Sequence, residues 1–303
     1  MAGSEVSLDL LRTFQAVHRA GTLTGAARLL GLSQPAVTHQ LRSLEAAVGQ
    51  PLFVRQARGV RATPFADDLA RRLGGSLDAV AAVAARLRGE TGLAGRTLQL
   101  GGPAEFVSAR VLPALAGTLA AGVAVRTRLG MADDLLAELA AGRLDLVVST
   151  VRPRRAGLHA EPLCDEEFSL VAAPPVAGRL DLAARGADLA AALATVPLLA
   201  YAEDLPIVRR WWRHVLGTAP TARAVLVVPD LRGLLAAACA GLGATVLPRY
   251  LCGGELERGG LVDLHPTADP PINTLHLVTR AAAREQPHVA HAWAALVRQG
   301  RSW

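Results

Sequence analysis

The sequence predicts a chain in two architectural parts, helical with a small hairpin first and α/β afterwards. Residues 7–63 hold three short helix-like segments with stop signals between them, then two β-like segments. Residues 64–88 read as one long helix carrying a leucine seam. From Thr97 onward, strand-like and helix-like stretches alternate through two similar rounds. Such alternation argues for α/β layers with mostly parallel sheets, here in two lobes.

A length of 303 residues fits roughly two domains, and 51% hydrophobic against 19% charged residues supplies ample core material. The net charge is +6, and all 32 basic residues are arginine. The arginine fork suits phosphate and guanine edges. Cys164, Cys239 and Cys252 are widely spaced and odd in number, which is neither a disulfide framework nor a metal-ligand pattern. Buried thiols in a reducing cytoplasm are expected, with no metal and no cofactor. Residues 1–14 show neither a basic n-region nor a sustained apolar stretch, so no signal peptide is expected. The longest apolar runs, 189–202 and 234–247, are too short or interrupted to span a bilayer. A cytoplasmic protein without membrane contact is expected.

Taken in order, Ser7 caps a helix running to Arg19, with Leu8, Leu11, Phe14 and Val17 apolar and Gly21 as the stop. Thr24 opens a short helix ended by Gly31. Ser33 caps the third, with Pro35 in its first turn, where a missing N–H costs nothing. Val37, Leu41, Leu44 and Val48 form one buried stripe, leaving Gln34, Thr38, His39 and Arg42 on the other side. Residues 52–55 and 60–63 give two strands joined by an arginine-rich turn. In the long helix, Leu69, Leu73, Leu77, Val80, Ala84 and Leu87 repeat in heptad fashion, so a partner helix is expected. Gly74-Gly75 suggests a bend, and 88–96 a linker. The α/β part follows, with a helix over 105–121 after its first strand and a returning strand and helix at its end.

The polar side of the third helix has a chemical reading. Glutamine pairs with adenine, arginine with guanine or phosphate, and a proline or threonine methyl meets thymine. A short helix, the turn Gly31-Leu32-Ser33 and a second helix fit helix-turn-helix geometry. Residues 1–63 carry seven arginines against Glu5, Asp9 and Glu45, and Arg55, Arg58 and Arg61 crowd the hairpin as a basic wing. That arrangement binds phosphates.

Phe14, Thr22, Ala26-Ala27, Leu30, Ser33-Gln34-Pro35-Ala36, Leu44-Glu45, Gly49, Leu52-Phe53, Arg55 and Thr63-Pro64 stand at the spacing of a known motif. The segment resembles the N-terminal winged helix-turn-helix of LysR-type transcriptional regulators. Later marks agree: Leu112-Pro113, Gly142 with Leu144-Asp145-Leu146, and "GLGATVLP" from Gly241. The resemblance implies a DNA-binding domain over 1–64, a dimerising linker helix over 65–91, and an effector-binding domain over 92–303. That domain would be two-lobed, like periplasmic binding proteins, with lobe I at about 95–165 and 268–303 and lobe II at about 166–267. The implied DNA-binding set is Thr22, Thr24, Ser33, Gln34, Pro35, Thr38, His39, Arg42, Arg55, Arg58 and Arg61. Leu69, Leu73, Leu77, Val80 and Leu87 would form the dimer seam. Implied partners are double-stranded DNA, a small-molecule effector, other copies of the chain as a dimer or tetramer, and RNA polymerase.

Ligands of open α/β sheets bind beyond strand carboxyl ends, near helix N-termini. The candidate effector set is therefore Pro103, Ala104, Glu105, Phe106, Met131, Thr150, Tyr201, Glu203, Asp230 and Pro248. One departure from the family stands here: Gly102-Pro103-Ala104-Glu105 replaces small hydroxyl residues. Glu105, Glu203, Asp204 and Asp230 either cap helices or bind a cationic effector. In the second case Glu105 and Asp230 face each other across the lobes. "GELERGGLVDLHP" resembles, locally, the branch of the family responsive to basic amino acids. A solute-binding protein, which would share the lobes but not the basic N-terminal unit, and an enzyme are the competing classes. The chain shows no glycine-rich phosphate loop, metal-ligand spacing or nucleophile elbow to support an enzyme.

Overall fold

The computed structural model describes residues 6–56, 59–87, 92–180 and 186–303. It opens on three capped helices. In α1 (Leu8–Ala20) the Ser7 side chain accepts from the Leu10 amide, and Gly21 closes the helix at φ 65°. Phe14 and Val17 are fully buried, whereas Leu8 is exposed. The second helix, α2 (Leu23–Leu30), is capped by Thr22 rather than opened by Thr24. Thr22 has the extended backbone an N-cap requires, and its hydroxyl accepts from Gly25 N at 3.0 Å. Ser33 caps α3 (Gln34–Val48) as expected, and Val37, Leu41 and Leu44 enter the core with Phe14.

The hairpin strands β1 (Phe53–Gln56) and β2 (Gly59–Ala62) pair antiparallel, Phe53 opposite Ala62. Both lie one residue off the expected ranges because the flanking residues are engaged elsewhere. Leu52 is fully buried and its amide donates to Glu45 Oε1 at 2.8 Å, while the Thr63 hydroxyl accepts from Ala66 N. The long helix α4 (Pro64–Leu87) continues through Gly74-Gly75. Leu69 and Leu73 pack against the core of their own N-terminal unit, with the fully buried Ala66 and Ala70. Leu77 is half-buried, and Val80 and Val83 are 45% and 52% exposed. The Leu87 side chain lies outside the described residues.

The chain divides into two compact units: Met1–Pro103 with Ala114–Glu161 and His276–Ser302, and Ala104–Pro113 with Pro162–Leu275 and Trp303. The stretch Ala104–Pro113, expected in the first lobe from chain order, belongs to the second unit. In the first, β3 (Thr97–Gly102) pairs in parallel with β4 (Ala124–Leu129) and β5 (Leu146–Ser149). The returning strand, β11 of the chain (Ile272–Arg280), adds antiparallel to β5. Asp145 explains the Leu144-Asp145-Leu146 element: buried, it accepts from Gln99 N at 2.9 Å and stands 3.7 Å from Arg280. It ties two strands of the sheet together and is structural.

In the second unit, β6 (Leu158–Ala172), which begins in the first, pairs antiparallel with β9 (Thr245–Pro248) and β10 (Val262–Asp263). A parallel pair, β7 (Leu198–Ala200) and β8 (Ala224–Val227), lies beside them. The sheets are thus mixed rather than mostly parallel. Trp211, Leu170 and Leu189 centre one core cluster and Leu234, Leu247 and Cys252 another. The helix expected over 105–121 is broken into short turns, with a π-helical stretch at Val107–Val111. Pro113, which has no N–H to donate, follows that stretch.

Candidate nucleic-acid interface and effector site

The candidate reading surface is built on α3. Its apolar stripe is spent on the core, so Gln34, Pro35, His39 and Arg42 stand exposed and Thr38 half-exposed. The Thr38 hydroxyl donates to Gln34 O at 2.9 Å, which leaves its methyl as the group for a base edge. Thr22 and Ser33 are both helix caps. Thr24 is exposed on α2.

Arg55 and Arg61 are exposed on the hairpin, but on opposite faces, because Arg55 pairs with Val60 and Arg61 with Val54. One face of the ribbon therefore carries each arginine. Arg58 lies outside the described residues. Glu45 and Gly59 hold the wing in place and were not singled out for that by sequence. Glu45 Oε1 accepts from Leu52 N and Phe53 N, at 2.8 and 3.3 Å. Gly59 has φ +96°, and a Cβ there would lie 2.4 Å from Gly21 O. The adjacent Val60 N donates to that same oxygen at 2.9 Å.

The second candidate site lies within the second unit. Glu105 and Asp230, expected to oppose each other across two lobes, both belong to it. Asp230 caps the helix Leu231–Cys239 and accepts from Arg232 N at 2.9 Å. It also takes the Arg232 fork at 3.1 and 3.0 Å, and those bonds hold its carboxyl below the usual range. Its charge is already answered. Glu105 differs: burial, then the Asp230 charge, push its carboxyl up.

Glu166 completes the group. It is 9% exposed, accepts from Asn273 Nδ2 at 3.0 Å, and is pushed up to about 7 by burial and by Glu105. Tyr201 is raised by burial and by Glu105 and Asp230. The buried Tyr250 hydroxyl has no hydrogen-bond partner among the described residues. Its pKa is raised by burial, then by Glu166 and Glu105. Phe106 meets Tyr250 and Trp303 edge-on, with ring centroids 5.5 and 5.4 Å apart. The arrangement is two carboxyls raised by burial and a phenol beside aromatic edges, next to a π-helical stretch of the kind common at functional sites.

Of the other expected residues, Ala104 is half-buried in this unit, Glu203 is exposed, and Pro248 is buried opposite Phe168. Pro103, Met131 and Thr150 belong to the first unit. Sequence reasoning missed Glu166, Tyr250 and Asn273. A signal for Glu166 existed, since strand alternation puts it on one face with the buried Phe168 and Leu170.

Comparison with known proteins decides the family. The profile of the bacterial regulatory helix-turn-helix protein, lysR family, matches residues 8–67, and that of the LysR substrate binding domain matches 91–301. The chain belongs to the LysR family of transcriptional regulators. It is 48% identical to the regulator AbaB of Streptomyces antibioticus, over 98% of this chain and 100% of that one. To PtxR of Pseudomonas aeruginosa it is 30% identical, over 87% and 83%. Its fold is similar to that of ArgP from Mycobacterium tuberculosis, at TM-score 0.75, 25% identity and 98% coverage of both chains. LysG of Corynebacterium glutamicum, solved with bound effector arginine, matches at TM-score 0.68 and 21% identity, over 98% of this chain and 99% of that one. The regulator is thus a DNA-binding protein with an effector-binding domain, and not an enzyme. Among its described residues no helix is long and apolar enough to cross a membrane.

Proposed function

We propose that the regulator reads duplex DNA in the cytoplasm through α3 and the wing, as a dimer joined along α4, and answers a cationic effector. In this reading Gln34, the Thr38 methyl and Pro35 meet base edges. Arg42, His39 and the wing arginines meet phosphates or guanine, and Thr22 and Ser33 present helix ends to the backbone. The dimer seam runs through Leu77, Val80 and onward, since Leu69 and Leu73 are committed to their own unit. RNA polymerase is the partner through which such a regulator would act.

One observation carries the effector class: Glu105 and Glu166 are both raised by burial, to which the Asp230 charge adds at Glu105 and the Glu105 charge adds at Glu166. A positive ligand relieves both, and each carboxylate–cation hydrogen bond contributes about 1.5–3 kcal/mol. Tyr250 offers a further acceptor. The arginine in LysG is a ligand of this chemical class. Binding one conformation better than another is how such a ligand shifts the equilibrium.

The test is a thermal-shift series on the full chain with arginine, lysine, putrescine, glutamate and benzoate. A cation at about 100 times its Kd should stabilise the protein by about 2.7 kcal/mol, and Glu105→Gln should lose most of that shift. Stabilisation by an anion, with no cation active, would sink the proposal.

A further inference from the structure

Helix α1 meets more than its own helical unit. His18, with a side chain 1% exposed, contacts Asp67 Oδ1 of α4 through Nε2 at 2.8 Å. Arg143 Nη1, from the effector-binding domain, lies 3.2 Å from that same oxygen and 3.2 Å from His18 Nε2. Burial lowers the imidazole's pKa above all other causes. We assign the neutral tautomer with Nε2–H donating to Asp67, which leaves Nδ1 bare. Next to this trio, Gly142 sits at φ +77°, where a Cβ would come 2.7 Å from Gln15 Nε2 and 3.4 Å from an Arg19 nitrogen. The effector-binding domain touches α1 at a residue with no side chain.

The contact is close but chemically incomplete. Gln15 is 5% exposed, and neither polar atom of its amide has a hydrogen-bond partner among the described residues. The His18 Nδ1 atom is in the same condition. Buried groups left unpaired penalise the state that buries them, and water would satisfy them once the surfaces part. An interface with one strong polar clasp and unpaired polar groups beside it is built to open as well as to close.

We propose that Gly142-Arg143 and the Gln15–His18–Asp67 surface form a releasable latch that sets the orientation of the DNA-reading unit on its effector-binding domain. The exposed face of α3 plays no part in it, so the latch does not cover the reading surface. It preorganises that surface for a second half-site, sparing the orientational freedom a loose unit would lose on binding. The inference rests on the dimer reading and is independent of the effector's identity.

The experiment uses the full chain without effector and a duplex selected by the wild type from random sequence, in paired and single half-site forms. Arg143→Ala, at a partly exposed side chain, should weaken binding to the paired duplex about tenfold, as loss of a charge-assisted bond does, and leave the single half-site unchanged. Gln15→Met removes the unpaired amide at similar size and should tighten paired binding severalfold. The two substitutions thus move affinity in opposite directions, which mere damage to the fold would not do. Unaltered paired binding in both, or an equal shift on single and paired duplexes, overturns the latch. The wild type's own preference for the paired duplex reports the dimer reading separately.

Discussion

Helix α3 carries Gln34, His39 and Arg42 into solvent, whereas the second unit holds Glu166 at 9% exposure and Glu105 half-buried. The contrast is the one that the two proposed roles would require. Bases and phosphates arrive as an outside surface, so the reading groups need only a rigid helix beneath them, and Phe14, Val37 and Leu44 supply it. A small ligand must be taken out of water, so its groups are placed where burial and neighbouring charge alter their protonation. Exposed groups are tuned by position and buried groups by environment.

The largest expected effect tests whether the two regions fail independently. Val80→Glu places a charge on the exposed part of α4. It should convert the dimer to monomer in sedimentation and cost about 10²–10⁴-fold in operator affinity, the avidity of paired sites. The thermal response of the effector-binding domain should persist. An unchanged sedimenting mass would remove Val80 from the seam.

Next in size is the pH dependence of the buried carboxyl. The folded-state pKa of Glu166 lies near 7, above its ordinary 4.5. Between those values the native state binds more protons than the unfolded one, so stability falls as pH rises. The penalty is absent below about pH 4.5 and complete above about pH 7, at roughly 3 kcal/mol. Glu166→Gln should remove that slope in chemical denaturation and raise stability at pH 8. A cationic ligand should bind better as pH rises through the same window. A variant with the wild-type slope would mean Glu166 is not the titrating group.

The smallest effects separate kinds of contact within the reading surface. Gln34→Ala should relax base preference at one position by about 1–3 kcal/mol. Arg42→Ala should instead weaken all duplexes and reduce the salt slope by about 0.9 per lost phosphate. Titrations at several salt concentrations with a selected and a scrambled duplex resolve the two. Equal losses on both duplexes for Gln34→Ala would withdraw its base-reading role.

Local chemistry made the reading unit legible. Ser7 and Ser33 as caps, Gly21 and Gly31 as stops, and the Val37–Leu41–Leu44 stripe all act within a few residues of themselves. Where the reading slipped at the hairpin limits, a neighbour had already claimed the residue, as Glu45 claims the Leu52 amide, and at α2 the Thr22 hydroxyl takes the Gly25 amide and caps the helix. Leucines of α4 showed the same ambiguity. Heptad spacing marks Leu73 as apolar-facing but cannot say which partner it faces, and the core of its own unit took it.

The candidate effector site was legible only in part because its parts are distant along the chain. Glu105, Glu166, Tyr250 and Asn273 meet through tertiary packing, and no local pattern relates them. Asp230 was visible as a carboxylate at a helix start, but the Arg232 fork that satisfies it depends on side-chain placement.

By itself the sequence determined the order of elements, the buried faces of the first three helices and the polar groups left on the solvent side of α3, because capping, helical period and burial act over a turn or two. Only the tertiary structure decided which carboxyls are desolvated, that Leu69 and Leu73 serve their own unit, and that Gly142 and Arg143 lie against α1. Those outcomes depend on distances between residues far apart in the chain, and so on how the whole packs.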